Sequence, residues 1–307
     1  MEYDVAIIGG GPAGMAAALG AQSAGAKNVL LAERDSNLGG ILNQCTHSGF
    51  GLRYFGQELT GIEYAERFRR LLSATDVVTM TSTTALKITK DREVVLSGRT
   101  LQKVTAKAIV LASGCRERPI GSLPVAGTRP AGVFMAGAAQ RMLNIGGYDL
   151  GRRAVILGSG DVGMIVAREL KKRDCGVAAV IEQRGVCGGL ERNRIKCLED
   201  NNIPLAYNST VAKIHGTPRI TGVTVQNLVT GEYELIECDT LIVSVGLIPE
   251  RELLEGVAAQ TGGIPPFLSV CGNARVIFDM TDAVSIESER AGKLAAAYAG
   301  QRDSQHS

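Results

Sequence analysis

The chain has 307 residues, of which 45% are hydrophobic and 21% charged, and this length suits two ordinary domains with buried cores. The formal net charge of +2 argues against binding to nucleic acid or a membrane surface through bulk charge. No apolar run reaches membrane-spanning length, and a strand is predicted from Tyr3 onward without a basic leader. We therefore expect a cytoplasmic protein that is not inserted in a membrane.

The cysteine content predicts reduced thiols. An odd number of cysteines in a long, core-rich chain does not favour a disulfide framework, and neither a C-x-x-C motif nor a zinc-ligand spacing occurs, so no metal site is expected. The seven cysteines are Cys45, Cys115, Cys175, Cys187, Cys197, Cys238 and Cys271.

The first predicted elements form a nucleotide-binding pattern. An apolar strand over residues 3–8 runs into G-G-G-P-A-G at residues 9–14, and an alanine-rich helix follows to residue 23. The next strand, residues 29–32, ends in Glu33. In such a pattern Gly9 permits the tight turn, Gly11 lets backbone amides approach a pyrophosphate, and Gly14 allows close helix–strand packing. The carboxylate of Glu33 is expected to accept hydrogen bonds from a ribose.

The same order of elements recurs 149 residues later. A strand over residues 154–157 precedes G-S-G-D-V-G at residues 158–163, a helix continues to residue 170, and a strand over residues 178–181 ends in Glu182. The third glycine and the acid are nineteen residues apart in both copies, and a Gly-Gly pair follows each acid. A single G-x-G-x-x-G is weak evidence, but this duplicated context predicts two bound dinucleotides.

Two later strands complete the predicted architecture. Residues 108–111 run into Ala112 and Gly114, residues 240–244 run into Gly246, and the Gly- and Pro-rich residues 119–151 fit an interdomain crossing. The predicted fold class is α/β, with two Rossmann-like three-layer domains, the second inserted into the first. We assign residues 1–118 and 247–307 to the first domain and residues 119–246 to the second, inserted domain.

These motifs resemble the pyridine nucleotide-disulfide oxidoreductase superfamily in its compact, thioredoxin-reductase-sized form. The chain further resembles the FAD-dependent NADH oxidoreductases that accompany glycerol-3-phosphate dehydrogenase or oxidase in anaerobic bacteria. That narrower likeness lies in G-G-I-L-N-Q-C (39–45), S-G-C-R-E-R-P (113–119), A-G-V-F-M-A-G (131–137), G-S-G-D-V-G (158–163) and C-G-N (271–273).

The resemblance implies FAD at the first glycine turn and a nicotinamide nucleotide at the second. Gly272-Asn273 stands where the superfamily carries Gly-Asp, and Asn can still hydrogen-bond a ribityl chain. Asp282 precedes the last predicted helix (283–299), where an acid is also a plain N-cap, and this helix start is expected to face the flavin. The implied FAD residues are Gly9, Gly11, Pro12, Ala13, Gly14, Glu33, Arg34, Gly39, Gly40, Ala112, Gly114, Gly272, Asn273, Asp282 and Ala283. The implied nicotinamide-nucleotide residues are Gly158, Gly160, Asp161, Val162, Gly163, Glu182 and Gly246.

Glu182 favours NAD(H) over NADP(H), because a carboxylate repels a 2′-phosphate and accepts from a free 2′-hydroxyl. Arg184, Arg192 and Arg194 point the other way if they hold that phosphate, and otherwise form a solvated basic face. We predict NADH.

Cys45 and His47 are the candidate catalytic side chains. Disulfide reduction requires two neighbouring cysteines, and Cys45 has no partner at a suitable spacing. A single thiol beside the flavin would cycle through sulfenic acid or simply pack there, and His47 would relay a proton or be a satisfied loop residue.

Three functions remain open at this stage. The leading one is an FAD-dependent NADH:acceptor oxidoreductase that passes electrons to a partner redox protein. The resemblance suggests a glycerol-3-phosphate flavoprotein or a small Cys-rich protein as that partner, and a homodimer stays open. The alternatives are a Cys45-dependent peroxidase or disulfide-type reductase, and a non-catalytic sensor or structural subunit that binds FAD and NAD.

Overall fold

The computed structural model describes residues 2–306, and side chains within residues 2–302. The chain forms two compact units, Met1–Arg116 with Pro249–Ser307 (unit 1) and Glu117–Ile248 (unit 2). Within the described residues, no helix is both long and apolar enough to cross a bilayer.

Unit 1 contains strands β1 to β8 and β20 and helices α1, α2, α6 and α7. Its strands are β1 (Glu2–Ile8), β2 (Val29–Ala32), β3 (Ser48–Phe50), β4 (Leu59–Thr60), β5 (Val78–Met80), β6 (Thr84–Ile88), β7 (Glu93–Ser97), β8 (Leu101–Leu111) and β20 (Leu268–Val270). Its helices are α1 (Pro12–Ser23), α2 (Gly61–Ser73), α6 (Glu252–Thr261) and α7 (Thr281–His306).

Unit 2 lies between the two segments of unit 1 in the chain. Its strands are β10 (Ala126–Gly127), β11 (Val133–Met135), β12 (Arg153–Leu157), β13 (Gly176–Ile181), β14 (Leu205–Ala206), β15 (Ser209–His215), β16 (Gly222–Asn227), β17 (Tyr233–Glu237) and β18 (Thr240–Val243). Its helices are α3 (Ala136–Asn144), α4 (Asp161–Lys171) and α5 (Glu191–Asn193). Two short strands, β9 (Cys115–Glu117) and β19 (Leu247–Pro249), lie where the chain passes between the units.

The main sheet of unit 1 is parallel around β1. The order is β5-β2-β1-β8, with β20 parallel to the end of β8 and a β6–β7 hairpin antiparallel to its beginning. Helices α1 and α7 cross at close range, because a Cβ at Gly20 would lie 2.2 Å from the carbonyl oxygen of Glu289 and one at Gly292 2.0 Å from that of Ala17. Glycine at these two positions therefore sets how closely the two helices pack.

Unit 2 repeats the parallel arrangement and adds a second sheet. Its parallel sheet has the order β11-β18-β12-β13-β14, and its other sheet has the order β10-β15-β16-β17, with β15, β16 and β17 antiparallel. Each parallel sheet has a strand–turn–helix unit at its centre, β1 with α1 in unit 1 and β12 with α4 in unit 2. The predicted fold class of two Rossmann-like domains is therefore confirmed.

One sequence-based interpretation was wrong. Residues 119–151, read as an interdomain crossing, contain β10, β11 and the nine-residue helix α3 and belong to unit 2. Gly and Pro concentrate at the ends of this segment, whereas α3 itself contains only Gly137 of these two residue types. The average composition of the segment therefore concealed the helix.

Candidate functional site

The first glycine turn (residues 9–14) is built by backbone contacts that exclude larger residues. Gly9 has φ +105°, and a Cβ there would lie 2.4 Å from the carbonyl oxygen of Ala112. A Cβ at Gly14 would lie 1.7 Å from the carbonyl oxygen of Gly9. Around Gly11, by contrast, no heavy atom lies within 4 Å of the Cβ position. Backbone contacts therefore exclude a side chain at Gly9 and Gly14, whereas the space beside Gly11 is open.

The open face of this turn lies at the start of α1. Pro12 is the first residue of α1, Ala13 is buried beside it, and among the described residues no side chain caps this helix start. Uncapped N–H groups at a helix N-terminus bind anions, because the backbone dipoles sum to a positive potential there.

Glu33 is held against the first turn. Its carboxylate is 6% exposed and accepts from the backbone N–H groups of Gly10 at 2.6 Å and of Asp35 at 2.7 Å. The Gly39–Gly40 turn also lies here, because the N–H of Gly39 donates to the carbonyl of Gly10 at 2.8 Å. Arg34 is exposed.

The second part of unit 1, Pro249–Ser307, is called the return segment. Its residue Gly272 packs against the start of α1. Gly272 has φ +58°, and a Cβ there would lie 2.7 Å from the Cβ of Ala13. The neighbouring Asn273 accepts from the N–H of Phe278 at 3.1 Å and donates to the sulfur of Cys115 at 3.6 Å. The Asn273 amide is therefore oriented by contacts within unit 1. Gly114, which precedes Cys115, has φ +75° and open space at its Cβ position.

Asp282 anchors a distant loop. Its carboxylate is 2% exposed and accepts from the N–H of Gly51 at 2.9 Å and of Arg53 at 2.8 Å. Because α7 already begins at Thr281, Asp282 is not the residue that precedes the helix, and its side chain serves the loop instead of an N-cap. Ala283 follows it in the first turn of α7.

The second glycine turn (residues 158–163) has the same construction. Gly158 has φ +97°, and a Cβ there would lie 2.0 Å from the carbonyl oxygen of Ser244. A Cβ at Gly163 would lie 2.7 Å from the Cβ of Ser244, whereas one at Gly160 meets nothing nearer than the Ser244 Oγ at 3.3 Å. This turn therefore excludes side chains at Gly158 and Gly163, and it is less crowded at Gly160. Gly246 beyond it has φ +117° and no heavy atom near its Cβ position.

Glu182 is the buried acid of the second turn. It accepts from the N–H and the hydroxyl of Ser159 at 3.1 and 2.5 Å, and from the N–H and Nε of Arg184 at 2.9 and 3.3 Å. Burial raises the pKa of Glu182, but these hydrogen bonds to the ionised carboxylate outweigh burial, so its pKa lies below the ordinary value. The acid is therefore charged at neutral pH.

The side chain of Asp161 serves the following loop. Its Oδ1 accepts from the N–H of Leu190 at 2.8 Å and from the Nδ2 of Asn193 at 2.7 Å. Any contribution of Asp161 to nucleotide binding then falls to its backbone at the start of α4. Val162, next to it, packs partly buried against the core of unit 2.

The three arginines near Glu182 have different surroundings. Arg194 pairs with both Glu191 and Glu199, Arg184 contacts Glu182 with its side chain 62% exposed, and Arg192 is exposed. Arg194 is thus already neutralised.

Cys45 lies in a buried position at the start of α2. Cys45 is 7% exposed, and its Sγ donates to the carbonyl of Ile41 at 3.3 Å. A Cβ at Gly61, the first residue of α2, would lie 2.4 Å from the Cβ of Cys45. His47 is half-buried, with its Nδ1 3.1 Å from the carbonyl oxygen of Ser48 and its ring 5.1 Å from that of Phe50.

Nearby aromatic residues form a cluster. The rings of Phe50, Tyr54 and Phe55 lie 5.0 to 6.4 Å from that of Tyr64, and Tyr54 and Phe55 also contact Phe68. Tyr64 and Phe68 are fully buried, so this cluster belongs to the core of unit 1.

The other cysteines give little sign of redox chemistry. None of the seven forms a disulfide within the described residues. Burial raises the pKa of Cys175 and of Cys238 to about 11 and that of Cys271 to about 12, and it also raises the pKa of Cys197. These four thiols stay protonated at neutral pH and are poor nucleophiles.

Glu117 is a functional candidate that the sequence did not reveal. Its carboxylate accepts from the N–H groups of Gly137 at 2.7 Å and of Ala138 at 3.3 Å, and so caps the first turn of α3. Burial raises the pKa of Glu117 more than these hydrogen bonds lower it. An acid twenty residues before the helix it caps leaves no local sequence signal.

The first turn fits a dinucleotide such as FAD on structural grounds. The Cβ position of Gly11 is open, an uncapped helix start lies beside it, and the buried Glu33 follows at the end of the next strand. The second turn shares the uncapped helix start and the buried acid, whereas a Cβ at Gly160 would lie 3.3 Å from the Oγ of Ser244. The fold and these turns therefore define an α/β protein with two Rossmann-like units, each with a glycine turn of the dinucleotide-binding type.

Comparison with known proteins identifies the family. Residues 3–284 match the family model described as pyridine nucleotide-disulphide oxidoreductase, and the chain belongs to this family of FAD- and NAD(P)H-using oxidoreductase enzymes.

Individual relatives agree with that assignment. The chain is 30% identical over 259 residues to thioredoxin reductase of Streptomyces clavuligerus, covering 82% of this chain and 76% of the relative. It is 25% identical to one component of the alkyl hydroperoxide reductase of Staphylococcus aureus, covering 82% of this chain and 48% of the relative. Among solved structures, thioredoxin reductase of T. acidophilum superposes with a TM-score of 0.79 at 22% identity, covering 98% of this chain and 99% of that one.

Proposed function

We propose that this enzyme is an FAD-dependent NADH:acceptor oxidoreductase, with FAD at the first glycine turn and NADH at the second. The observation that carries the proposal is the duplicated glycine turn at an uncapped helix start. The Cβ position of Gly11 is open, and that of Gly160 meets only Ser244, at 3.3 Å and beyond. Each turn also has its own buried acid, Glu33 or Glu182. Bound at the first turn, FAD would supply the redox chemistry that links the nicotinamide nucleotide to the acceptor.

The residues of each turn have distinct tasks in this proposal. The backbone N–H groups at the start of α1 and of α4 bind the two pyrophosphates, and Glu33 and Glu182 orient the two riboses. Gly272 lets the return segment approach the flavin site, and Asp282 holds the 51–53 loop beside the start of α7.

The electrostatics of the second turn support NADH over NADPH. Glu182 is ionised and 5% exposed, so a 2′-phosphate beside it would place like charges together. Arg194 is occupied by two glutamates, which weakens the case for an arginine phosphate clamp.

A partner redox protein is the proposed acceptor. None of the cysteines forms a disulfide in the described chain, and four of the seven have raised pKa values, which favours an acceptor other than a disulfide relayed through this protein. The resemblance of the segments at residues 39–45 and 113–119 to NADH oxidoreductases that accompany glycerol-3-phosphate oxidation supports a glycerol-3-phosphate flavoprotein as that partner.

Anaerobic titration of the flavin tests the proposal. FAD-loaded protein is mixed with NADH or with NADPH, and the visible flavin absorbance is followed in a stopped-flow instrument. NADH should bleach the flavin at least about tenfold more efficiently than NADPH, measured as the limiting rate of reduction divided by Kd, because a free 2′-hydroxyl is hydrogen-bonded where a phosphate is repelled. A tenfold preference for NADPH would overturn the nucleotide assignment, and a flavin that neither nucleotide reduces would overturn the function.

A Cys45-dependent reductase or peroxidase is the second candidate. The names of relatives, thioredoxin reductase and alkyl hydroperoxide reductase, favour it, and Cys45 lies at the start of α2. Cys45→Ser separates the two candidates in assays with a dye, a peroxide and a disulfide as acceptors. We expect dye reduction to persist in the variant; peroxide or disulfide turnover that disappears with Cys45 would favour the second candidate.

A further inference from the structure

The two glycine turns surround their acids with the same backbone donors. In unit 1, Glu33 accepts from the N–H groups of Gly10 at 2.6 Å and Asp35 at 2.7 Å. In unit 2, the equivalent N–H groups 149 residues later are those of Ser159 at 3.1 Å and Arg184 at 2.9 Å. The first turn is therefore an internal reference for the second, with Gly10 in the place of Ser159.

Only the second turn adds a hydroxyl to this arrangement. The Oγ of Ser159 donates to the Oε2 of Glu182 at 2.5 Å and accepts from the N–H of Gly188 at 2.7 Å. Ser159 is completely buried, and Glu182 is 5% exposed. A serine hydroxyl has a single hydrogen to donate, and here it is committed to the carboxylate. The side chain of Ser159 thus ties the acid both to the glycine turn and to the following Gly-Gly turn.

The two carboxylate oxygens of Glu182 are held unequally. Oε2 accepts from Ser159 alone, whereas Oε1 accepts from the N–H of Arg184 at 2.9 Å and from its Nε at 3.3 Å. The side chain of Arg184 is 62% exposed, so its contact with Glu182 is the weakest of the four. A carboxylate oxygen has two acceptor positions, and a ribose hydroxyl that approaches Glu182 must replace one of these donors. Displacing the exposed guanidinium of Arg184 from the Glu182 carboxylate costs the least free energy.

We propose that Ser159 is a specificity-determining positioning residue, whose hydroxyl fixes the Glu182 carboxylate where it accepts from a free ribose 2′-hydroxyl and repels a 2′-phosphate. This inference rests on the proposed function. Once Arg184 leaves the carboxylate, the hydroxyl of Ser159 is the remaining side-chain contact that keeps the acid in place. Without it, only the backbone N–H groups of Ser159 and Arg184 hold Glu182. The acid loses its shortest contact, and the discrimination against a 2′-phosphate weakens.

Equilibrium binding of two nucleotide fragments tests this role without turnover. ADP-ribose and 2′-phospho-ADP-ribose are titrated into the FAD-loaded wild type and the Ser159→Ala variant by calorimetry. We expect the Kd of ADP-ribose to rise about tenfold, since one charge-assisted hydrogen bond to the acid is removed. The Kd of 2′-phospho-ADP-ribose should stay the same or fall, since the acid is no longer fixed where it repels the phosphate. At steady state, the KM for NADH should rise while kcat stays the same. Ser159→Gly, which reproduces the residue of the first turn, should behave in the same way.

A double-mutant cycle with Glu182→Ala shows whether Ser159 acts through the acid. If it does, Ser159→Ala has no further effect on ADP-ribose affinity once Glu182 is alanine. Equal weakening of both fragments, or additive losses in the cycle, would overturn the inference while leaving the proposed function intact. If the wild type binds neither fragment, the nucleotide site of the proposed function fails and the inference fails with it.

Discussion

Replacing Gly11 by alanine should separate folding from cofactor binding. Gly11 has φ −73° and ψ −172°, extended angles that alanine adopts freely, and its Cβ position is open. Alanine caps a helix less well than glycine, by up to about 1 kcal/mol, but it restricts the unfolded chain by about 0.4–1 kcal/mol. These effects nearly cancel. The free energy of unfolding of the apoprotein should therefore stay within about 1 kcal/mol of the wild-type value.

The same methyl group should largely abolish FAD binding. It would fill the space through which the pyrophosphate reaches the N–H groups at the start of α1. Losing two charge-assisted hydrogen bonds costs about 3–6 kcal/mol, which corresponds to an affinity loss of roughly 10²- to 10⁴-fold. Titration of the apoprotein with FAD, followed by flavin fluorescence, measures the affinity, and urea unfolding of the apoprotein measures stability.

Gly14→Ala is the matched control for the change at Gly11. Its Cβ would lie 1.7 Å from the carbonyl oxygen of Gly9, so the turn itself must move and the apoprotein should lose more than about 3 kcal/mol of stability. Wild-type FAD affinity in Gly11→Ala would refute the assignment of the pyrophosphate to this turn. An unfolded Gly11→Ala apoprotein would refute the claim that its Cβ position is free.

Three further predictions concern other parts of the chain. Gly160→Ala should keep FAD and remain stable but lose reduction by NADH about 100-fold, because its Cβ meets only the Ser244 hydroxyl at 3.3 Å; bleaching kinetics check this. Asp282→Ala should cost about 1–3 kcal/mol in urea unfolding, since two loop N–H groups lose their acceptor, and an unchanged midpoint would contradict it. Burial raises the pKa of Glu169, so the native state binds more protons than the unfolded state, and the free energy of unfolding falls as pH rises through that pKa. Glu169→Gln should therefore stabilise the protein at pH 7 but not at pH 4. Urea midpoints at both pH values measure this.

Both glycine turns could be predicted because their function depends on short-range backbone geometry. The residue that makes each turn, the helix that follows and the acid at the end of the next strand lie within about 25 residues of one another. The structure shows Gly9 and Gly158 at positive φ, and it brings Glu33 and Glu182 against their turns, through the N–H groups of Gly10 and Ser159.

Other parts of the fold left weaker signals. The antiparallel sheet of β15 to β17 was not predicted, because strands that face solvent on one side carry fewer apolar residues than buried parallel strands. The helix α3 was hidden within a segment whose average content of Gly and Pro suggested a crossing.

The two strand–turn–helix units, the repeat that relates them and the family were determined by the sequence alone, since they depend on local patterns of glycine, apolar residues and acids. Only the tertiary structure decided which side chains serve which partners. The carboxylate of Asp282 accepts from the N–H of Gly51, 231 positions away in the sequence, and the hydroxyl of Ser159 donates to Glu182, 23 positions away. Contacts of this kind depend on how helices and strands pack, and a buried polar atom takes whichever partner the packing brings within reach.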